Sequence, residues 1–347
     1  LECKACKSEC PSNVDMAKMK YEFLAHYHAK HGTPLRARVF GHAAALGRIG
    51  TTLAPLSNWL QELPPSRWLL ERALGIDRRR PLPRFAAQTF ERWWRDHRPE
   101  PRAGTRGEVL FLADTFTNFH EPEIGQAAVR VLEAFGYRVE VPALRCCGRP
   151  MISKGLLREA RENARYNVSV LEVAVGRGVP VVGMEPSCVV TYKDEYADFG
   201  LGDVAREVGS NTWLLEDFLA VHHGEETDLP YRHSPRDVRL HGHCHQKAVL
   251  GTTRALQALR MVPGYRVAEI ASGCCGMAGS FGYEKEHYEV SQQVGELSLF
   301  PAVRSLPADT LLVAAGTSCR QQVRDATGRE ALHPVQALAR ALDEEPA

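Results

Sequence analysis

The sequence predicts an α/β protein: two tandem Rossmann-like repeats with parallel sheets, preceded by a helical segment that opens on a cysteine-rich turn. Three observations carry that prediction. Landmarks recur at one displacement: Gly-Tyr-Arg-Val at 136–139 precedes Cys146-Cys147-Gly148, and the same four residues at 264–267 precede Cys274-Cys275-Gly276 with the same spacing. Within each copy, short apolar β-rich runs alternate with helical periodicity, the βαβ pattern of a parallel sheet covered by helices. The ten cysteines also fall into three groups, with none scattered as isolated core residues.

In the first copy, 109–113 reads as a buried strand, and 123–135 has helical periodicity ending at Gly136. A second strand follows at 138–141, then a long helix at 156–177 ended by Gly178, then a third strand at 180–184. The second copy repeats the order: VLFLADT at 109–115 matches VRLHGHC at 238–244, and VVGMEPSC at 181–188 matches LVAAGTSC at 312–319. In open parallel sheets, functional groups collect beyond the carboxyl ends of the strands. Thr115 and Cys244, both Cys-Cys-Gly turns, and Cys188 and Cys319 all follow predicted strands, so the fold is expected to bring them to one edge.

The chain has 347 residues and a net charge of +1. That balance gives no pull towards nucleic acid. Its sign is uneven, however: 1–105 carries +8 and the remainder −7. No apolar run approaches the ~18 residues of a membrane helix. A disulfide framework suits short secreted chains, and vicinal cysteines pair poorly with each other. Clustered thiolates therefore point to metal, and to iron–sulfur before zinc.

The first group reads C-x2-C-x3-C-P from Cys3 through Cys6 and Cys10 to Pro11. This is a bacterial ferredoxin run without its first cysteine, which would precede Leu1. The chain accordingly reads as a fragment of a longer polypeptide. By that spacing Cys3 and Cys6 serve one cluster and Cys10 another. The second copy offers Cys244, Cys274, Cys275 and Cys319, enough for a [4Fe–4S] cluster or an all-thiolate zinc site. Gly276 leaves room for the backbone to approach an inorganic ligand. The first copy offers Cys146, Cys147 and Cys188, with Thr115 where the second has Cys244 and Asp114 beside it; a cluster with a non-cysteine ligand, zinc or nothing at all remain open there. In His241-Gly242-His243-Cys244-His245, strand alternation would set the three histidines on one face and Cys244 on the other. His243 and His245 are expected to hydrogen-bond cluster sulfur. His222, His223, Lys18 and Lys20 read as surface residues.

The paired Cys-Cys-Gly repeats resemble the cysteine-rich CCG domains of heterodisulfide reductase and of the iron–sulfur subunits of glycolate oxidase and anaerobic glycerol-3-phosphate dehydrogenase. Longer strings, among them CKACKSECPSNVDMAKMKYEFL (3–24), CCGRP (146–150), HGHCHQKA (241–248) and SGCCGMAGSFGYEKEHYEVS (272–291), resemble the C-terminal region of bacterial FAD-linked D-lactate and D-2-hydroxyglutarate dehydrogenases. The resemblance implies an electron-transfer module carrying 4Fe–4S clusters. It would take electrons from FAD in a preceding oxidase domain and pass them to a quinone or carrier protein, in the cytoplasm or at the inner membrane face. It also implies four parts: a truncated ferredoxin-type motif (1–24), a helical linker or docking segment (25–105), CCG repeat 1 (106–224) and CCG repeat 2 (234–345). The ferredoxin-type ligands would be Cys3, Cys6 and Cys10, and the CCG-type ligands Cys146, Cys147, Cys188, Cys244, Cys274, Cys275 and Cys319. The heterodisulfide reductase pattern ends each repeat in C-x2-C. Here Cys188 and Cys319 have no such partner, which counts against a five-cysteine cluster and against disulfide-reducing chemistry. A thiol–disulfide reductase and a zinc-stabilised interaction domain are the two alternatives. In 25–105, helices are expected at 35–49 and 66–74. Trp68, Trp93 and Trp94, set among arginines, are expected to dock against the flavin domain.

Overall fold

The structure, a computed structural model, describes residues 3–343; residues 1–2 and 344–347, which include the outer ends of the first and last expected parts, lie outside the described residues. The first copy contains β1 (Glu108–Leu112), β2 (Arg138–Glu140), β3 (Val181–Gly183) and β4 (Thr212–Leu214), hydrogen-bonded in the order β2-β1-β3-β4. Every pairing is parallel, with Val109 opposite Val139 and Phe111 opposite Val182. The second copy contains β5 (Arg236–His241), β6 (Tyr265–Glu269) and β7 (Leu311–Ala314) in the order β6-β5-β7, again parallel. A parallel bridge from Val313 to Leu332 takes the place of a fourth strand there. The predicted α/β class and tandem parallel sheets are thus observed. The sequence reading missed β4, whose three residues are set directly between the helices Asp203–Ser210 and Leu215–His223 with no glycine or proline in 211–214 to mark them off.

β3 and β7 are buried along most of their length, as in a sheet covered by helices on both faces, whereas the edge strand β2 exposes Arg138 and Glu140. Helix Pro122–Ala134 begins with proline at its first turn and is followed by Gly136 at φ 87°, the left-handed geometry that ends helices. It packs on helix Pro334–Asp343 of the other copy. One continuous core therefore includes Val109, Phe111 and Val182 of the first sheet and Val238, Leu240 and Val313 of the second. Phe111 and Phe218 are fully buried in it, each contributing about 1.5–3 kcal/mol of transfer free energy.

The segment before the first sheet is helical, as expected, with one break. The predicted helix at 35–49 is two helices, Leu35–Gly41 and Ala43–Thr52, separated at His42. Gly41 lies so close to Leu156 that a Cβ there would sit 2.5 Å from its Cδ1. The predicted helix at 66–74 is Pro64–Leu74, started by its prolines. Trp93 and Trp94 do not face outward for a partner. They pack with Phe90 against the chain's own core, whereas Trp68 is 55% exposed. Arg80, nearly fully buried, ties this segment to the second copy. Its guanidinium donates to Gly282 O at 3.0 Å and to Gln322 Oε1 at 2.5 Å. No described helix is long and apolar enough to cross a membrane.

Glu216, at the start of helix Leu215–His223, is fully buried beside Asp217, and neither of its carboxyl oxygens has a hydrogen-bond partner. Burial, then the neighbouring Asp217 charge, pushes its pKa up to about 8. A raised carboxyl pKa means that the folded state holds a proton the unfolded state has lost. Its contribution is therefore present below the unfolded value and declines as pH rises to about 8. Glu216→Gln should raise Tm relative to wild type by an amount that grows from pH 4.5 to 8, then levels at several degrees (~2–4 °C per kcal/mol). A pH-independent difference in thermal melts would contradict this.

Candidate metal centres

Three segments of each copy reach the carboxyl edge of its sheet. After β1, Asp114 caps helix Thr115–Phe119: its Oδ1 accepts from Phe116 N at 2.9 Å and Thr117 N at 3.1 Å. After β5, His243 caps helix Cys244–Val249 in the same way, its Nδ1 accepting from His245 N at 3.2 Å. After β2 and β6 come the Cys-Cys-Gly turns, whose glycines have φ near 90° (Gly148) and 94° (Gly276). After β3, Glu185 caps helix Pro186–Lys193, which carries Cys188; after β7, helix Thr317–Thr327 carries Cys319. Asp114 with His243, Thr115 with Cys244, and Cys188 with Cys319 are thus structural equivalents.

The sulfurs converge in two sets. In the first copy, Cys147 and Cys188 lie 3.1 Å apart, and Cys146 interacts with Cys147 and with the Thr115 hydroxyl. In the second, Cys244 interacts with Cys274, Cys274 with Cys275, and Cys275 with Cys319. Thr115 thus occupies the place of Cys244, as the repeat alignment implies. Neighbouring thiols and burial push Cys146 and Cys244 well above the ordinary thiol pKa; at Cys188 the hydrogen bond with Cys147 lowers it, but burial and the nearby Asp114 and Glu185 carboxylates outweigh that and push it up to about 12. These thiols are protonated until a metal displaces the protons.

The N-terminal turn divides its three cysteines. Cys3 interacts with Cys274 of the second copy. The Cys6 sulfur accepts from Met16 N at 3.3 Å, and backbone amides of Val14, Ser12 and Asn13 lower the pKa of Cys10. Lys4 holds the turn. It is 1% exposed, with a left-handed backbone (φ 61°), and its ammonium lies 2.6 Å from Asp194 and 2.5 Å from Glu195. Lys7 adds a contact to Asp194 at 2.8 Å.

Glu185 stands between the two copies. Its Oε1 accepts from Ser187 Oγ at 2.9 Å within its own helix, while its Oε2 accepts from Thr317 N at 3.0 Å, at the start of the Cys319 helix. His243 Nε2 is 3.9 Å away. Burial raises the Glu185 pKa. Arg320 reinforces the junction, donating to Glu121 at 2.6 Å and to Ala315 O at 2.6 Å. Glu185, Lys4, Arg80 and Arg320 were not singled out as site residues in the sequence. Glu185 had a readable signal, an acidic residue immediately before a helix-starting proline.

The histidine expectation needs correction. The strand ends at His241, and His243 already caps the next helix, so strand alternation does not apply. All three histidines are buried; His241 Nδ1 pairs with Ser272 Oγ at 2.8 Å. Burial lowers the pKa of His241 to about 3 and of His243 to about 4, so both are neutral. His223 also differs from expectation: it is buried, with Nε2 at 2.9 Å from the Tyr137 hydroxyl.

The surroundings of the second copy fit a cluster. The Gly276 amide donates to Cys274 Sγ at 3.3 Å, and a Cβ at Gly276 would sit 2.1 Å from Ser291 O. Ser291 is in turn held by Gln322 and Arg80. The first copy opens instead on a cavity of about 270 Å³ bordered by Cys146, Cys147, Cys188, Asp114, Arg145 and Asn163. Gly276→Ala should destabilise the metal-free protein by about 1–3 kcal/mol. Gly148→Ala, whose Cβ would meet Ala160 Cβ at 3.2 Å, should cost less. Denaturant titration of both variants measures the difference, and equal losses would contradict the crowding described here.

Residues 112–193 match the family model described as "Cysteine-rich domain" (CCG). The chain is 33% identical over 340 residues to a subunit of the anaerobic glycerol-3-phosphate dehydrogenase of Escherichia coli (strain K12), covering 96% of this chain and 83% of that protein. It is 30% identical over 357 residues to D-2-hydroxyglutarate dehydrogenase of the same organism, covering 97% of this chain but 33% of that protein. Lactate utilization protein A of Oceanobacillus iheyensis is 31% identical over 185 residues, covering 50% of this chain and 70% of that protein. Fold, duplicated cysteine edge and similarity along nearly the whole chain agree: the chain belongs to the family of cysteine-rich dehydrogenase subunits that includes this component of anaerobic glycerol-3-phosphate dehydrogenase.

Proposed function

We propose that this chain is the iron–sulfur electron-transfer part of a flavin-dependent dehydrogenase, read as four parts at 1–24, 25–105, 106–224 and 234–345. One observation carries the reading: Cys244, Cys274, Cys275 and Cys319, which follow three different strands, form one contiguous set of sulfurs. These four residues would hold a 4Fe–4S cluster, which takes up and releases single electrons. The protein's own contribution is burial, the neutral His243 and the buried His245 nearby, and the Gly276 amide aimed at sulfur.

Cys146, Cys147 and Cys188 would hold a second centre, one thiolate short, and Cys6 and Cys10 would belong to ferredoxin-type centres. The electron source is FAD on a flavoprotein partner or domain, the donor is a D-2-hydroxy acid, and the acceptor is a quinone or carrier protein in the cytoplasm. The D-2-hydroxyglutarate dehydrogenases support that donor. A glycerol 3-phosphate donor is the second reading, favoured by the 83% of the glycerol-3-phosphate dehydrogenase relative that the chain covers. Reduction of the clusters in the intact complex by D-2-hydroxyglutarate, D-lactate or glycerol 3-phosphate, monitored by visible bleaching, separates the two.

Anaerobically purified protein should contain iron and acid-labile sulfide in equal amounts, and Cys244→Ser with Cys319→Ser should remove about four irons per chain. Zinc in place of iron would overturn the reading. Thr115→Cys restores the missing thiolate of the first copy and should raise iron content there. Iron content unchanged by Cys147→Ser with Cys188→Ser would show that the first copy does not hold such a centre.

A further inference from the structure

We infer that Glu185 is a positioning residue for both sulfur sets at once: its buried negative charge holds down the reduction potentials of the first-copy and second-copy centres together. The inference rests on the reading that Cys146, Cys147 and Cys188, and Cys244, Cys274, Cys275 and Cys319, hold iron–sulfur centres. Glu185 is 6% exposed and immediately precedes Pro186, which starts the helix that carries Cys188. Its Oε1 accepts from Ser187 N at 3.3 Å and from Ser187 Oγ at 2.9 Å, one residue before that cysteine. Its Oε2 accepts from Thr317 N at 3.0 Å, two residues before Cys319. Each oxygen is thus bonded to the first turn of the helix in which the cysteine itself sits, and a turn rises only ~5.4 Å.

The sharing is built into the packing of the two copies. Gly316 occupies in the second copy the place of Glu185, and a Cβ there would sit 2.2 Å from His243 Cδ2. The second copy therefore has no room at that position for a capping side chain of its own, and takes the cap from the first. The helix that carries Cys188 packs directly on the helix that begins at Cys244. His333 Nε2 of the second copy also lies 3.2 Å from the carbonyl oxygen of Met184, the residue before Glu185. The carboxylate is thus fixed where the two cysteine edges meet.

Three hydrogen bonds converge on the carboxylate and all are donated to it, the pattern of the ionised form. The positive ends of two helices favour the same state. Burial opposes ionisation, whereas the Thr317 amide, Arg320 and Ser187 support it. The Arg320 guanidinium is itself bonded to Glu121 and to the carbonyl oxygens of Ala314 and Ala315. An electron added to either centre makes that centre more negative, and a fixed anion in a buried setting opposes the addition. Because one charge serves both helix starts, its loss moves both potentials upward.

The test uses the full-length protein purified anaerobically, with iron analysis and redox titration followed by EPR. The first-copy signal is the one abolished by Cys147→Ser with Cys188→Ser, and the second-copy signal the one abolished by Cys244→Ser with Cys319→Ser. Glu185→Gln removes the charge but keeps an acceptor for Thr317 N. It should raise both midpoint potentials, changing each reduction equilibrium about tenfold, or ~59 mV for a one-electron couple. Glu185→Asp keeps the charge and shortens the reach, and should leave both potentials near those of wild type. Asp237→Asn, towards the other end of β5, should move neither. Unchanged potentials in Glu185→Gln, a shift at one centre alone, or an equal shift in Glu185→Asp would overturn the inference and leave the underlying reading standing. Loss of either centre in Glu185→Gln would overturn it as well, because the carboxylate would then act only to hold the fold. Wild-type protein without an iron–sulfur signal assignable to either sulfur set would instead overturn the reading itself.

Discussion

Parallel strand pairing is the constraint on which the cysteine arrangement depends. Because β1, β2 and β3 run in one direction, the segments that follow them leave the sheet at the same edge, and β5, β6 and β7 do the same in the second copy. Cys244 and Cys319 lie at opposite ends of the second copy's sequence, yet no local motif has to bring them together. The sheet does so through backbone hydrogen bonds that are indifferent to the cysteines. The core that stabilises the sheets is shared between the copies, so the two sulfur sets are also fixed relative to one another.

Duplication followed by divergence explains the differences between the copies. The same capping position is Asp114 in one and His243 in the other, and the residue after it is Thr115 in one and Cys244 in the other. Glu185 caps the Cys188 helix, but its counterpart is Gly316, and Glu185 itself reaches across to cap the Cys319 helix through Thr317 N. One carboxylate therefore serves two helix starts, favoured by the partial positive charge of both. The second copy is packed tightly around its sulfurs by Arg80, Gln322 and Ser291. The first leaves a cavity beside Cys146, lined by Asp114, Arg145 and Asn163. Two sites of common origin thus differ in donor count, charge and room.

Much of this was legible in the sequence, and the exceptions have physical causes. The strands at 109–113, 138–141 and 180–184 and the helices at 123–135 and 156–177 agree closely with the structure, because the long helices carry a strong period and the left-handed Gly136 and Gly178 mark where the next strand begins. The Thr115–Cys244 equivalence followed from the repeat and is matched by the Thr115 contact to Cys146. The histidine geometry was misjudged because the strand stops at His241 and gives way to a capped helix, a boundary that periodicity does not resolve. Trp93 and Trp94 were read as outward-facing because aromatic–basic interleaving looks the same on a surface and on a helix covering its own core. Lys4 left no signal at all, since two of its three carboxylate partners, Asp194 and Glu195, lie at the far end of the first copy and only Asp15 is near in sequence.

The most direct measurement of the central claim is anomalous diffraction at the iron edge from crystals of anaerobically purified protein. The account predicts iron within bonding distance of Cys244, Cys274, Cys275 and Cys319 together, at the carboxyl edge of β5, β6 and β7. A disulfide between any two of those cysteines, a zinc edge in place of iron, or iron bound away from all four would contradict it.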